Sequence, residues 1–157
     1  MGSVDYETDL ANLWASIDSL GEEEFRERMD ALAAAMPPAV AAYERGSAFD
    51  STGHSDRAVP LYRVALDTGL GEDRRRQCVI QLASSLRNLG EVDEAVALLR
   101  DERDRGSDEF DDAVAGFLAL ALVSAGRERE AVRAALEQLA AHMTRYQRSL
   151  RNYAAEL

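Results

Sequence analysis

Cys78, His54 and His142 carry the side chains best suited to chemistry, as nucleophile, general base or metal ligand. A catalytic cysteine needs a nearby histidine or other cation to hold its thiolate, and neither histidine is a close neighbour of Cys78 in the chain. Cys78 therefore reads as a small buried hydrophobe. His54 and His142 share no local carboxylate or cysteine spacing of the kind that builds a metal site. Ser84-Ser85 with Arg87 is the remaining polar group of interest, but there is no Ser-x-x-Lys, no Gly-x-Ser-x-Gly and no glycine-rich phosphate loop. The run Arg74-Arg75-Arg76 could meet a phosphate; because it follows Glu72-Asp73, it reads instead as the solvated start of a helix. Neither catalysis nor a metal nor a cofactor is expected.

The elements that would position these residues are helical. Apolar residues make up 46% of the 157 and aromatics only 6%, with Ala and Leu prominent. Those two residues cost least in a helix, and no alternating apolar run is bounded by Asn-Gly or Asp-Gly turns. The net charge of −11 opposes a nucleic-acid or anionic-membrane surface, both of which require a basic field. All 18 basic residues are arginine. No apolar run reaches the roughly 18 residues that span a bilayer, and the N-terminus lacks a signal-peptide layout, so a cytoplasmic protein is expected. The start MGSVDY resembles a myristoylation site but has Tyr6 where Ser or Thr is needed.

Leu10, Leu13, Trp14, Ile17 and Leu20 predict a first amphipathic helix, with Gly21 as its left-handed C-terminal cap. Glu22-Glu23-Glu24 opens a second, with an apolar face of Phe25, Met29, Leu32 and Met36, until Pro37-Pro38 stops it. Residues 1–36 thus form a helical hairpin with nine acids against two arginines. Beyond it, "GHSDRAV" from Gly53, "GEVDEAV" from Gly90 and "GREREAV" from Gly126 repeat one pattern. Its anchoring residues Ala58, Ala95 and Ala131 are 37 and 36 apart, a period that signals stacked helix pairs. Before each Gly stand a small residue and then a larger apolar one: Gly46 and Phe49, Ala83 and Leu86, Ala119 and Leu122.

These residues make the chain resemble the tetratricopeptide-repeat (TPR) family, whose pattern is matched by "AYERGSAF", "VIQLASSL" and "AGFLALAL" followed by the Gly-x-x-x-x-Ala turns. It is also similar to a group of short stand-alone bacterial TPR proteins. Arg45 replaces the family's Leu, and Leu70, Ser107 and Met143 stand where its Pro is expected. The expected fold is an all-α, right-handed α-solenoid of helix hairpins in a single domain. Residues 1–36 are its N-terminal hairpin, 39–142 its three repeats (about 39–71, 72–106 and 107–142), and 143–157 its C-terminal capping helix. On that last helix Tyr146, Leu150, Tyr153 and Leu157 share one face, and Arg145, Arg148 and Arg151 lie on another.

The resemblance implies a protein-interaction module that binds a protein or peptide in a concave groove lined by the first helix of each pair. Carried over position by position, it nominates Tyr43, Ser47 and Asp50, then Gln77, Ser84, Arg87 and Asn88, then Leu120 and Val123. The clamp with which co-chaperones of this family hold a C-terminal carboxylate requires lysine, which the chain lacks. Two alternatives remain open. One is a self-assembling scaffold whose groove is filled by its own C-terminal helix, and the other a small-ligand domain built on Arg87, Asn88 and Gln77. A homodimer held by Tyr146, Leu150 and Tyr153 is also expected, two-fold dimers being the commonest closed assemblies.

Overall fold

A computed structural model describes residues 6–157. The myristoylation pattern at Gly2 lies outside the described residues. Nine α-helices and no strand occur among them: α1 (Tyr6–Ala15), α2 (Glu22–Ala33), α3 (Pro38–Ser51), α4 (Ser55–Asp67), α5 (Glu72–Asn88), α6 (Val92–Arg105), α7 (Asp111–Ser124), α8 (Glu128–His142) and α9 (Gln147–Ala155). The protein is all-α. The chain forms two compact units, Met1–Cys78 and Val79–Leu157, with the boundary inside α5.

In the first unit α1 packs on α2, α2 on α3, and α3 along α4. Leu10, Leu13, Phe25, Met29 and Ala33 join Ala41 and Ala48 of α3 in one core, edged by Trp14, Ile17 and Leu20. The first helix is shorter than its apolar spacing predicts. Ser16 Oγ donates to the Leu13 carbonyl at 2.7 Å and Ser19 Oγ to the Ser16 carbonyl at 2.8 Å. Such side-chain bonds compete with the helical ladder, and the chain tightens into a 3-10 turn over Ile17–Ser19. Gly21 is consequently not a left-handed C-cap: its φ is −68°, and it is the extended N-cap of α2. The two prolines divide their roles as residue type dictates, Pro37 preceding α3 and Pro38 occupying its first position.

The repeated Gly-to-Ala pattern has a direct structural meaning. Gly53, Gly90 and Gly126 have φ of 80°, 86° and 71°, a left-handed conformation that costs glycine least. The anchoring Ala58, Ala95 and Ala131 are all buried. At Gly46 the need is for space, because an added Cβ would stand 2.9 Å from the ring of Tyr62. Arg45, the departure from the family's Leu, donates its Nε to Asp30 of α2 at 2.6 Å. The charge therefore meets a partner supplied by the preceding hairpin.

In the second unit α6 packs on α7, α7 on α8, and α8 on α9. The tail breaks before its helix. Met143 is extended, and Tyr146 is a left-handed N-cap with φ 65°, the one non-glycine with positive φ among the described residues. Ala154 of α9 and Ala140 of α8 are fully buried, while Leu150 and Leu157 are half-buried. Tyr146 thus precedes the helix instead of extending its apolar face.

Candidate functional site: the exposed helix faces

The nominated positions have different surroundings in the two units. In the first, Tyr43 and Ser47 are buried on α3, and the rings of Tyr43 and Tyr62 lie 6.2 Å apart. Burial pushes the Tyr43 phenol up to about 12, so it stays protonated at any ordinary pH. The Tyr62 hydroxyl donates to Asp50 Oδ2 at 3.3 Å. Gln77 Nε2 donates to the Asp73 carbonyl at 3.2 Å, within its own helix. These four residues face packed or hydrogen-bonded surroundings.

In the second unit the corresponding positions include open ones. Leu120 and Val123, one turn apart on α7, are 48% and 51% exposed. Beside them Arg87 Nη1 of α5 donates to Ser124 Oγ at 3.3 Å, while Arg87 Nε is buried with no hydrogen-bond partner among the described residues. Asn88 is exposed and Ser84 half-buried on α5. The face therefore combines two apolar side chains with one incompletely satisfied guanidinium. Since α9 packs on α8, Leu120 and Val123 keep this exposure with the C-terminal helix in place. On α9 itself, Tyr146 and Tyr153 are 76% and 68% exposed.

Glu44, which the sequence reading did not single out, is a buried carboxylate in the first unit. Trp14 Nε1 donates to its Oε2 at 2.9 Å, and Arg74 Nε lies 3.7 Å from its Oε1. Arg74 also holds Glu7 of α1 through bonds of 2.6 and 2.7 Å. The arginine run at Arg74 is thus not the solvated helix start expected: Arg74 is half-buried among three carboxylates, Glu7, Glu44 and its neighbour Asp73, and Arg76 is buried. Glu7 and Glu44 lie far away in the chain and arrive only on folding.

Burial, the largest influence, raises the Glu44 carboxyl above its ordinary value, outweighing the Trp14 hydrogen bond and the Arg74 charge. The folded state therefore holds this proton to higher pH than the unfolded state does. Glu44 should lose stability for the protein as pH rises from the ordinary carboxylate range through the raised value, and the loss should then level off. Urea unfolding of the wild type and Glu44→Gln over a pH series should show the wild type falling relative to the variant across that window. A gap that moves the other way would mean that the Arg74 attraction outweighs desolvation.

Cys78 is fully buried, its thiol lies 3.7 Å from the Tyr62 carbonyl, and burial pushes it up to about 12. A thiol so disfavoured as thiolate is a poor nucleophile. His142 does meet a carboxylate, Asp112, at 2.8 Å, and Gln138 Nε2 donates to the same oxygen at 2.6 Å. The contact spans 30 residues and was invisible to local spacing. Among the described residues no group of three or more His, Cys, Asp or Glu is arranged to hold a metal. Nor is any of their helices long and apolar enough to cross a membrane.

Comparison with known proteins agrees with the repeat. No curated protein and no solved structure matches the chain. Residues 39–157 match the family described as Tetratrico peptide repeat, and over that length the glycine turns and buried alanines stand where such repeats require them. The chain belongs to the tetratricopeptide-repeat family.

Proposed function

We propose that the protein is a cytoplasmic protein-interaction module, with three repeats over residues 39–142, that binds an extended peptide segment of a partner on the α5–α7 face of its second unit. The observation that carries this reading is the exposure of Leu120 and Val123 beside Arg87. Exposed apolar side chains gain by covering, and the Arg87 guanidinium, whose Nη1 meets only the neutral Ser124 hydroxyl, gains by meeting a carboxylate. The segment that fits carries an apolar side chain close to an acidic one. Ser84 and Asn88 supply polar contacts at the edge.

Selection of random displayed peptides on the immobilised protein tests this. Enriched peptides should pair an apolar residue with an acidic one. Leu120→Asp and Arg87→Ala should weaken them about tenfold or more, as expected for residues central to an interface, while Arg103→Ala on α6 should not. Peptides that bind all three variants equally would place recognition elsewhere.

Tyr146 and Tyr153 favour a second property, self-association. Two large aromatic side chains so exposed on one short segment suit a contact with a second copy, with Leu150 beside them. Arg145, Arg148 and Arg151 on this segment complement the acidic residues 1–36. Exposed ion pairs add at most about 1 kcal/mol each, so the aromatic contacts must supply most of the affinity. Light scattering should find the intact chain dimeric and a truncation after His142 monomeric. A monomeric intact chain would remove the dimer.

A further inference from the structure

Val132, Ala135 and Leu139 are exposed along one side of α8, three and then four residues apart. Residues at that spacing lie above one another on a helix, so the three form a continuous apolar seam. Val132 is 48% and Leu139 55% exposed with α9 in place.

Single exposed hydrophobic residues are ordinary, but comparison between the repeats sets these apart. Counted from the anchoring alanines, Val132 corresponds to Val59 and Val96, and Ala135 to Tyr62 and Leu99. All four counterparts are buried. The helix α6, which carries Val96 and Leu99, packs on the 14-residue α7 that follows it. The helix that follows α8 is α9, of 9 residues, and it packs on α8 without covering the seam. A surface that the other repeats bury is therefore open in the third, and its shape is that of a helix-packing face.

The seam is complementary to itself. Ala135 is small and stands between two larger side chains, so two copies of α8 crossing antiparallel at Ala135 approach closely there and set Val132 of each toward Leu139 of the other. Antiparallel pairing also opposes the two helix dipoles. The exposed Glu128, one turn before Val132, then lies toward the end of the other copy where Arg145 is exposed just beyond α8. Three aliphatic side chains alone make a small interface. Tyr146 and Tyr153, 76% and 68% exposed on the segment that follows α8, enlarge it.

We propose that a second copy of this chain docks on the α8 seam, the two helices pairing antiparallel about a two-fold axis at Ala135 with Tyr146 and Tyr153 at the rim. The assignment rests on the self-association proposed above and adds the surface at its centre.

Light scattering on the full chain and on Leu139→Asp, with diamide oxidation of Ala135→Cys, tests it. Leu139→Asp, a change at an exposed position, should weaken association about tenfold or more. Ala135→Cys should join two chains through a disulfide far faster than Ala97→Cys, which is exposed on α6. The native Cys78 is fully buried and takes no part. A monomeric wild type would overturn self-association and the seam together. A dimeric wild type with Leu139→Asp equally dimeric would leave self-association standing and overturn the seam. So would a dimeric wild type in which Ala135→Cys links no faster than Ala97→Cys, a result that remains decisive if Leu139→Asp does not fold.

Discussion

Ala95→Arg is expected to lower the stability of the second unit by about 3–5 kcal/mol, enough to shift its thermal midpoint by roughly 12 °C or more. Ala95 lies one turn into α6, behind the left-handed Gly90, and has no exposed surface. Its amide donates to the Glu91 carbonyl at 3.1 Å, which fixes the backbone beneath it. Val96 and Leu99 are buried beside it, so an arginine would both overpack the site and bring a charge with no partner. Thermal melts followed by circular dichroism measure the effect, with Ala97→Arg as the control, since Ala97 is exposed on the same helix. An unchanged midpoint in Ala95→Arg would mean that the repeat register is misplaced.

That register was legible because a helical repeat writes its packing into local spacing. The Gly-x-x-x-x-Ala pattern reports a turn that needs positive φ and a helix face that must be small, and both requirements are met within a few residues of chain. The breaks in the pattern were harder to see. Ile17 and Leu20 continue the apolar spacing of α1, yet Ser16 and Ser19 offer the backbone a competing partner and the helix stops. Tyr146 likewise fits a helical stripe by spacing alone, although the chain turns left-handed at that residue.

Ion pairs that close over long stretches leave no local trace at all. Arg74 looked solvated because its partner Glu7 is 67 residues away, and His142 looked isolated because Asp112 is 30 away. Leu120 and Val123 are exposed on the side of α7 opposite its buried face, whereas Tyr43 and Ser47 are buried by neighbours on other helices, a difference that family position alone does not carry.

Tyr62→Ala should cost the first unit about 3–5 kcal/mol, the usual range for a large buried aromatic side chain removed from a core. Tyr62 is fully buried on α4, with its ring against Gly46 of α3 and near Tyr43. Most of this loss should come from packing. Tyr62→Phe removes only the hydroxyl that donates to Asp50 at 3.3 Å, a change expected to cost about 0.5–1.5 kcal/mol. Gly46→Ala tests the contact from the other side: its methyl would lie 2.9 Å from the ring, and overpacking of about 1–3 kcal/mol should exceed the helix-propensity gain of roughly 1 kcal/mol. In the double variant Tyr62→Ala/Gly46→Ala the methyl has room left by the ring. Its cost should therefore fall below the sum of the single costs, a coupling that urea unfolding of the four proteins would measure directly. Additive costs would mean that ring and glycine do not meet, and that α3 and α4 approach each other for some other reason than the missing Cβ.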